Sequence, residues 1–242
     1  MATVRQRIRR IAPRLAAEFL GTFGFVLFGC ASIVVSSAGA YAGADSASLV
    51  AIALAHGLML AVAVTGAVYI SGAQLNPAIS IALMALGRQT AVKAGMYVVT
   101  QLFAAACAAG MLILLLGADG ANNPQRGTAM GATVGSLTEA GRFWPVFGFE
   151  FLLSFALMYV YLATVVDRRA PRLGGLCMGG FVAVAILSAG PLTGASMNPA
   201  RTFGPALYGH WDMHWVYWVA PVWGAAMAAG VYRLLGQREV AE

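Results

Sequence analysis

Charge is scarce in this sequence, and that scarcity excludes most of what a chain of 242 residues could be. Charged residues make up 10% of the chain, against about 25% in soluble globular domains. Hydrophobic residues make up 60% and the mean hydropathy is +0.77, so a soluble domain is ruled out. Nine acidic residues and three histidines form no spaced metal-ligand set, no nucleophile stands beside a base, and no glycine-rich loop is built for phosphate. Neither an enzyme nor an ion pump is supported: the chain offers no catalytic residue, no metal site and no cofactor site. The three cysteines, Cys30, Cys107 and Cys177, are odd in number and each lies inside an apolar run. They make neither a disulfide framework nor a metal cluster and read as small core residues.

What the sequence does contain is long apolar runs. Six, at 15–35, 49–69, 91–116, 144–166, 174–190 and 215–235, are near the 20 residues needed to cross about 30 Å of hydrocarbon. Two more, at 76–86 and 198–207, are half that length and cannot span. The net charge of +6 could suggest nucleic acid, but twelve of the fifteen basic residues fall on one side of the implied topology. They precede the first run, lie between the second and third, follow the fourth and end the sixth; Arg126 and Arg142 lie opposite and Arg201 sits in a short run. By the positive-inside rule both termini are cytoplasmic, in a cell membrane (plasma or inner), and nucleic acid is not a partner. The basic start and the small residues Ala38, Gly39 and Ala40 superficially resemble a secretory signal, but the first run is longer than a signal core and carries Glu18, so it reads as an uncleaved span.

The halves of the chain repeat. "EFLGTF" at 18–23 opens the first run and "EFLLSF" at 150–155 opens the fourth, while "GAQLNPA" at 72–78 follows the second and "GASMNPA" at 194–200 follows the fifth. Each half, 14–117 and 144–235, reads as span, span, short run, span. Three spans per half is odd, so the second half enters the membrane in the opposite sense, an inverted repeat within one channel domain covering 1–242.

Asn is a favoured N-cap, and Pro suits the first helical position, so Asn76-Pro77-Ala78 and Asn198-Pro199-Ala200 are helix starts. Irregular backbone at membrane depth is tolerated only where protein buries it or a watery cavity meets it. Two re-entrant half-helices entering from opposite faces would bring their positive dipole ends and two Asn side chains together at the centre of a pore.

At these residues the sequence resembles the aquaporin family, the major intrinsic proteins, from about residue 14 to residue 235. "AEFLGTF", "SGAQLNPA", "GASMNPARTFGPA" and "HWVYWVAP" carry the resemblance; Gln74 departs from it, since many relatives have His there. The resemblance implies an all-α membrane protein of six transmembrane helices plus two re-entrant half-helices, a pore in each subunit and a homotetramer in the lipid bilayer. It also implies that Glu18 and Glu150, the only carboxylates inside full spans, support the half-helix loops, and that Arg201 lies in the narrowest part of the pore. His56 stands 20 residues before Asn76, Ile186 stands 12 before Asn198 and Ala195 three before it, which matches the other three positions of the family's selectivity filter.

A passive water channel follows, with hydronium and other ions opposed by the helix dipoles and Arg201. Two other classes are weighed against it, an inverted-repeat secondary transporter and a structural membrane protein without permeability. Within the family the alternative is a glycerol facilitator, which usually places Asp where this chain has Thr202. The set His56, Ile186, Ala195 and Arg201 resembles the filter of plant vacuolar aquaporins that pass ammonia, although the His those relatives contribute from a loop is absent between residues 118 and 145. Water is the expected main permeant, with ammonia and hydrogen peroxide also crossing and glycerol crossing poorly.

Overall fold

The computed structural model describes residues 4–37, 45–121 and 129–238; Ala38, Gly39, Ala40 and Arg126 lie outside the described residues. Among the described residues all regular structure is helical: α1 (Val4–Ser37), α2 (Asp45–Ala67), α3 (Pro77–Ala85), α4 (Ala91–Leu116), the single turns α5 (Ala118–Ala121) and α6 (Ser136–Glu139), α7 (Phe143–Tyr161), α8 (Gly174–Thr193), α9 (Pro199–Ala206) and α10 (Val216–Arg238). A wider turn, Leu162–Val166, prolongs α7. Five of these helices, α1, α2, α4, α7 and α8, are long and apolar enough to cross a membrane. The sixth run is α10, 23 residues long; Tyr217, Trp218, Pro221, Trp223 and Arg233 keep its hydropathy below that of the other five. Its place in the bundle marks it as their counterpart, because it packs along α7 and carries α3 on its flank.

The helix limits follow from local chemistry. Thr90 caps α4 by accepting the Lys93 N–H at 3.2 Å, and Gly117 and Gly194, at φ +73° and +82°, end α4 and α8 in a conformation that glycine adopts without a Cβ penalty. Between α7 and α8 Asp167 accepts bonds from the Arg169 guanidinium at 2.8 Å, from the Arg169 backbone N–H at 2.9 Å and from the Tyr232 hydroxyl of α10 at 3.0 Å. These donors hold the Asp167 carboxyl well below the usual carboxylate range and tie the connection to the last helix.

Each short helix crosses to the other half of the chain: α3 packs more on α10 than on α4, and α9 more on α4 than on α10. Close approach depends on small residues, because lipid gives helices little hydrophobic reason to associate and backbone contact must do the work. Along the α2–α8 seam Gly57, Ala61 and Thr65 face Gly175, Gly179 and Ala183; a Cβ on Gly57 would lie 2.6 Å from the Gly179 carbonyl, and a Cβ on Gly179 would strike the Gly57 carbonyl. In the same way Gly204 of α9 rests on the Ala105 carbonyl and Gly224 of α10 on that of Phe151. The outward faces stay apolar, with Leu20, Phe28, Leu58, Val62 and Leu152 exposed, as a bilayer requires.

Gly180, next to the seam, is exposed, and a Cβ there meets nothing within 4 Å. Overpacking of about 1–3 kcal/mol should lower the thermal unfolding midpoint of Gly179→Val by about 5–10 °C, while Gly180→Val stays within about 1 °C of wild type. Tryptophan fluorescence during heating in detergent provides the comparison, and equal midpoints for the two variants would contradict the seam.

Candidate functional site

Each of the spans α2 and α8 is followed by a short non-helical stretch, 72–76 and 194–198, that ends on an Asn capping a short helix. The two stretches share an unusual backbone. Ala73 and Leu75 have φ +48° and +51°, and Ala195 and Met197 have φ +42° and +54°. Non-glycine residues in this left-handed region cost about 1–3 kcal/mol each, so the surroundings must impose the shape.

Two buried carboxylates impose it. Glu18 of α1 accepts the backbone N–H groups of Gln74 at 3.0 Å and Leu75 at 2.7 Å, and the Gln101 amide of α4 at 2.9 Å. Glu150 of α7 accepts the N–H groups of Ser196 at 3.0 Å and Met197 at 2.8 Å, and the Thr193 hydroxyl at 2.8 Å. Neither side chain has any solvent exposure. Hydroxyls repeat the pattern one step earlier, Ser71 accepting from Ala73 N–H and Thr193 from Ala195 N–H. Three buried tyrosines hold the loop carbonyls: Tyr97 donates to Ser71 O, Tyr161 to Gly72 O and Tyr217 to Thr193 O.

The two Asn side chains join the loops. Asn76 Oδ1 accepts the Ala78 N–H at 2.8 Å and Asn198 Oδ1 that of Ala200 at 3.0 Å, each capping its own helix. Asn76 Nδ2 donates to Met197 O at 2.8 Å and Asn198 Nδ2 to Leu75 O at 2.9 Å, a reciprocal bond across the halves. Pro77 and Pro199 occupy the first helical position, with Ala78 and Ala200 fully buried behind them. Each amide keeps one N–H beyond those bonds. Both Asn residues line a narrow central cavity of about 10 Å³ whose opposite wall is apolar, formed by Phe25, Leu60, Leu157 and Val182. Such a volume takes about one water. Among the described residues the carbonyls of Ala73, Gln74, Gly194, Ala195 and Ser196 accept no hydrogen bond, although all but Gly194 belong to buried residues.

Beyond Asn198 a wider cavity of about 190 Å³ is lined by His56, Ile186 and Arg201 together with Ile52, Gly190 and Gly194. Three of the four residues that the family resemblance singled out therefore meet at one cavity; Ala195 does not line it, while its neighbour Gly194 does, and the Ala195 N–H goes to Thr193 Oγ1 at 3.2 Å. Arg201, only 3% exposed, donates Nη1–H to Gly131 O at 2.7 Å and has Nη2 3.3 Å from His56 Nε2. His56 Nδ1 lies 2.9 Å from Ile52 O. A carbonyl only accepts and a guanidinium only donates, so His56 is the neutral tautomer with its proton on Nδ1.

Sequence reasoning missed several of these partners. Gln101, Gly131 and the tyrosines Tyr97 and Tyr161 are single polar or small residues in runs that give no local sign of their role; only their burial beside the loops reveals it. Gln74, the departure from the family pattern, is used: its amide pairs with that of Gln89 at 2.9 and 3.2 Å, and Gln89 also donates to Ser80 O. Thr202 bonds the hydroxyls of Thr133 and Ser196.

Comparison with known proteins gives a consistent result. The sequence profile of the family described as Major intrinsic protein matches residues 7–232. The chain is 41% identical over 221 residues to Aquaporin TIP4-4 of Zea mays, covering 89% of this chain and 83% of that protein. It is 39% identical over 229 residues to Probable aquaporin TIP3-2 of Arabidopsis thaliana, covering 90% and 82%. Among solved structures it is similar to the aquaglyceroporin from Plasmodium falciparum, with TM-score 0.73 and 25% identity over 91% of this chain and 95% of that one.

Removing either clamp leaves three buried donors facing nothing, and each orphaned group costs about 1–3 kcal/mol. Glu18→Ala and Glu150→Ala should lose most folded, monodisperse protein in size-exclusion chromatography, whereas Glu139→Ala, at an exposed position of the turn α6, should elute as wild type. Normal recovery of both clamp variants would show that the carboxylates do not hold the loops.

Proposed function

The chain belongs to the major intrinsic protein family, and on that premise we propose that it is a passive channel in which water passes in single file between the two Asn-capped loops. The observation that carries this reading is the row of carbonyls on residues 73–74 and 194–196, all but that of Gly194 on buried residues, that find no partner among the described residues and lead to a central cavity of about 10 Å³. Buried carbonyls require a partner, and a file of waters supplies one. The apolar opposite wall leaves each water no more partners than its neighbours and the loop. At the centre the remaining Asn76 and Asn198 N–H groups and the starts of α3 and α9 favour oxygen pointing at the loops, which interrupts a proton wire. Arg201 adds a fixed cation to the wider cavity and opposes cations.

The same reading assigns the filter to His56, Ile186, Ala195 and Arg201, the loop support to Glu18 and Glu150, and the inverted repeats to 14–117 and 144–235. Exposed apolar faces on α1, α2, α7 and α8 suit both lipid and further copies of the chain, and we place the protein as a homotetramer in a cell membrane with cytoplasmic termini. A partly apolar ring without Phe, Tyr or Trp and with one neutral imidazole suits small uncharged solutes, so ammonia and hydrogen peroxide join water as permeants and glycerol is disfavoured. The similarity to an aquaglyceroporin keeps glycerol as the competing solute.

Purified protein in liposomes distinguishes these cases. Osmotic shrinkage by stopped-flow should far exceed that of empty vesicles and vary linearly with the gradient; an imposed ammonium gradient should alkalinise the lumen rapidly; glycerol entry should stay near the empty-vesicle rate. Shrinkage no faster than in empty vesicles would overturn the channel, saturable ion-coupled flux would indicate a transporter, and rapid glycerol entry would indicate a facilitator. Asn198→Asp puts a carboxylate oxygen against Leu75 O in place of a donor, and water permeability should fall by at least about tenfold, since an unmade buried hydrogen bond costs about 1–3 kcal/mol.

A further inference from the structure

The wall behind the filter is made by α1, through residues that the family motifs leave out of the pore. Gly29 lies flat against His56: a Cβ there would stand 2.6 Å from Nε2 and 2.7 Å from Cδ2. One turn earlier Phe25 meets the same ring edge-on, with centroids 5.9 Å apart. The next residue, Cys30, is fully buried and donates its thiol to Gly131 O at 3.6 Å, the carbonyl that also takes Arg201 Nη1–H. Gly131 has φ +67°, and a Cβ on it would lie 2.6 Å from Cys30 Cα, so its backbone packs directly on α1, where the Cys30 thiol meets its carbonyl.

We propose that the α1 step Gly29–Cys30 is a specificity-determining pair of positioning residues, Gly29 setting how far the His56 ring stands from the lumen and Cys30 setting the carbonyl on which Arg201 rests. The inference rests on the reading of His56 and Arg201 as filter residues. Its direction follows from the packing. Phe25 blocks the ring along α1, and Ile52 O holds Nδ1. The free space is the cavity shared with Ile186 and Arg201. Anything larger than glycine at position 29 therefore drives the ring into the lumen and narrows it.

The test is a double-mutant cycle on single-channel water permeability in liposomes, with channel number counted. Overpacking of this size should lower the permeability of Gly29→Ala by about fivefold. In a His56→Ala background, with no ring to displace, adding Gly29→Ala should change permeability by less than about 1.5-fold. Gly24→Ala, whose Cβ meets only the flexible end of Met59, controls for general disturbance of α1. An effect of Gly29→Ala that is absent, or equal in both backgrounds, overturns the inference while leaving the filter reading intact. A His56→Ala channel with unchanged permeability to water and glycerol would instead refute the filter reading. If Gly29→Ala yields no folded channel, Cys30 answers alone: Cys30→Ala should raise the glycerol-to-water permeability ratio by about threefold, the worth of a modest hydrogen bond, and Cys30→Ser should restore it. An unchanged ratio in Cys30→Ala would then overturn the inference.

Discussion

Two carboxylates with no access to solvent hold this molecule's centre in shape. Glu18 and Glu150 each accept two consecutive backbone N–H groups from a loop and a third donor from a side chain. Consecutive N–H groups converge on one carboxylate only if the chain turns sharply, and the left-handed backbone at 73, 75, 195 and 197 is that turn. Once the N–H groups point inward to the clamps, the loop's remaining carbonyls are directed elsewhere. Strain in the backbone, the hydrogen bonds to the two clamps and the carbonyls left without a partner among the described residues are one arrangement seen from three sides.

The loops would still be separate without the Asn pair. Each amide divides its capacity: the oxygen caps its own helix, and one N–H crosses to the other loop's carbonyl. The two halves are thus locked at one depth, and the position of each short helix start is fixed relative to the other. Packing follows the same logic, since α3 rests on α10 and α9 on α4. Glycines at Gly57, Gly179, Gly204 and Gly224 let backbones touch where any side chain would hold them apart. A cavity as small as the central one is stable only if its walls cannot breathe, and backbone-to-backbone seams supply that stiffness.

Electrostatics in the wider cavity are shared rather than concentrated. Arg201 carries the charge, but Gly131 O and the neutral His56 Nε2 take up two of its donor directions, which leaves a cation held in place with part of its hydrogen-bonding capacity free for a solute. The turn bearing Gly131 is itself held between α1 and the second loop, where a Cβ on Gly194 would meet Thr133 Cα at 2.7 Å.

Composition, hydropathy and the doubled motifs were enough to determine a helical membrane protein with two interrupted segments. The low charge forbids a water-soluble core, Asn followed by Pro at the head of a short apolar run signals a helix start, and a repeat is visible to simple matching of the chain with itself. The six long runs and two short ones correspond to helices whose limits differ by a few residues, except that α1 begins at Val4, well before the first run, and α10 is less apolar than the rest because its aromatic residues and Pro221 lower its hydropathy. His56, Ile186 and Arg201, named through the family resemblance, line one cavity. Ala195 does not line the same cavity; its N–H goes to Thr193 and its carbonyl accepts no bond among the described residues, a division between two groups of one residue that distance along the chain does not encode. Tyr97, Tyr161, Gln101 and Gly131 carried no sequence signal at all. Their partners lie between 21 and 101 residues away, and a hydrogen bond between distant segments exists only once packing has brought those segments together.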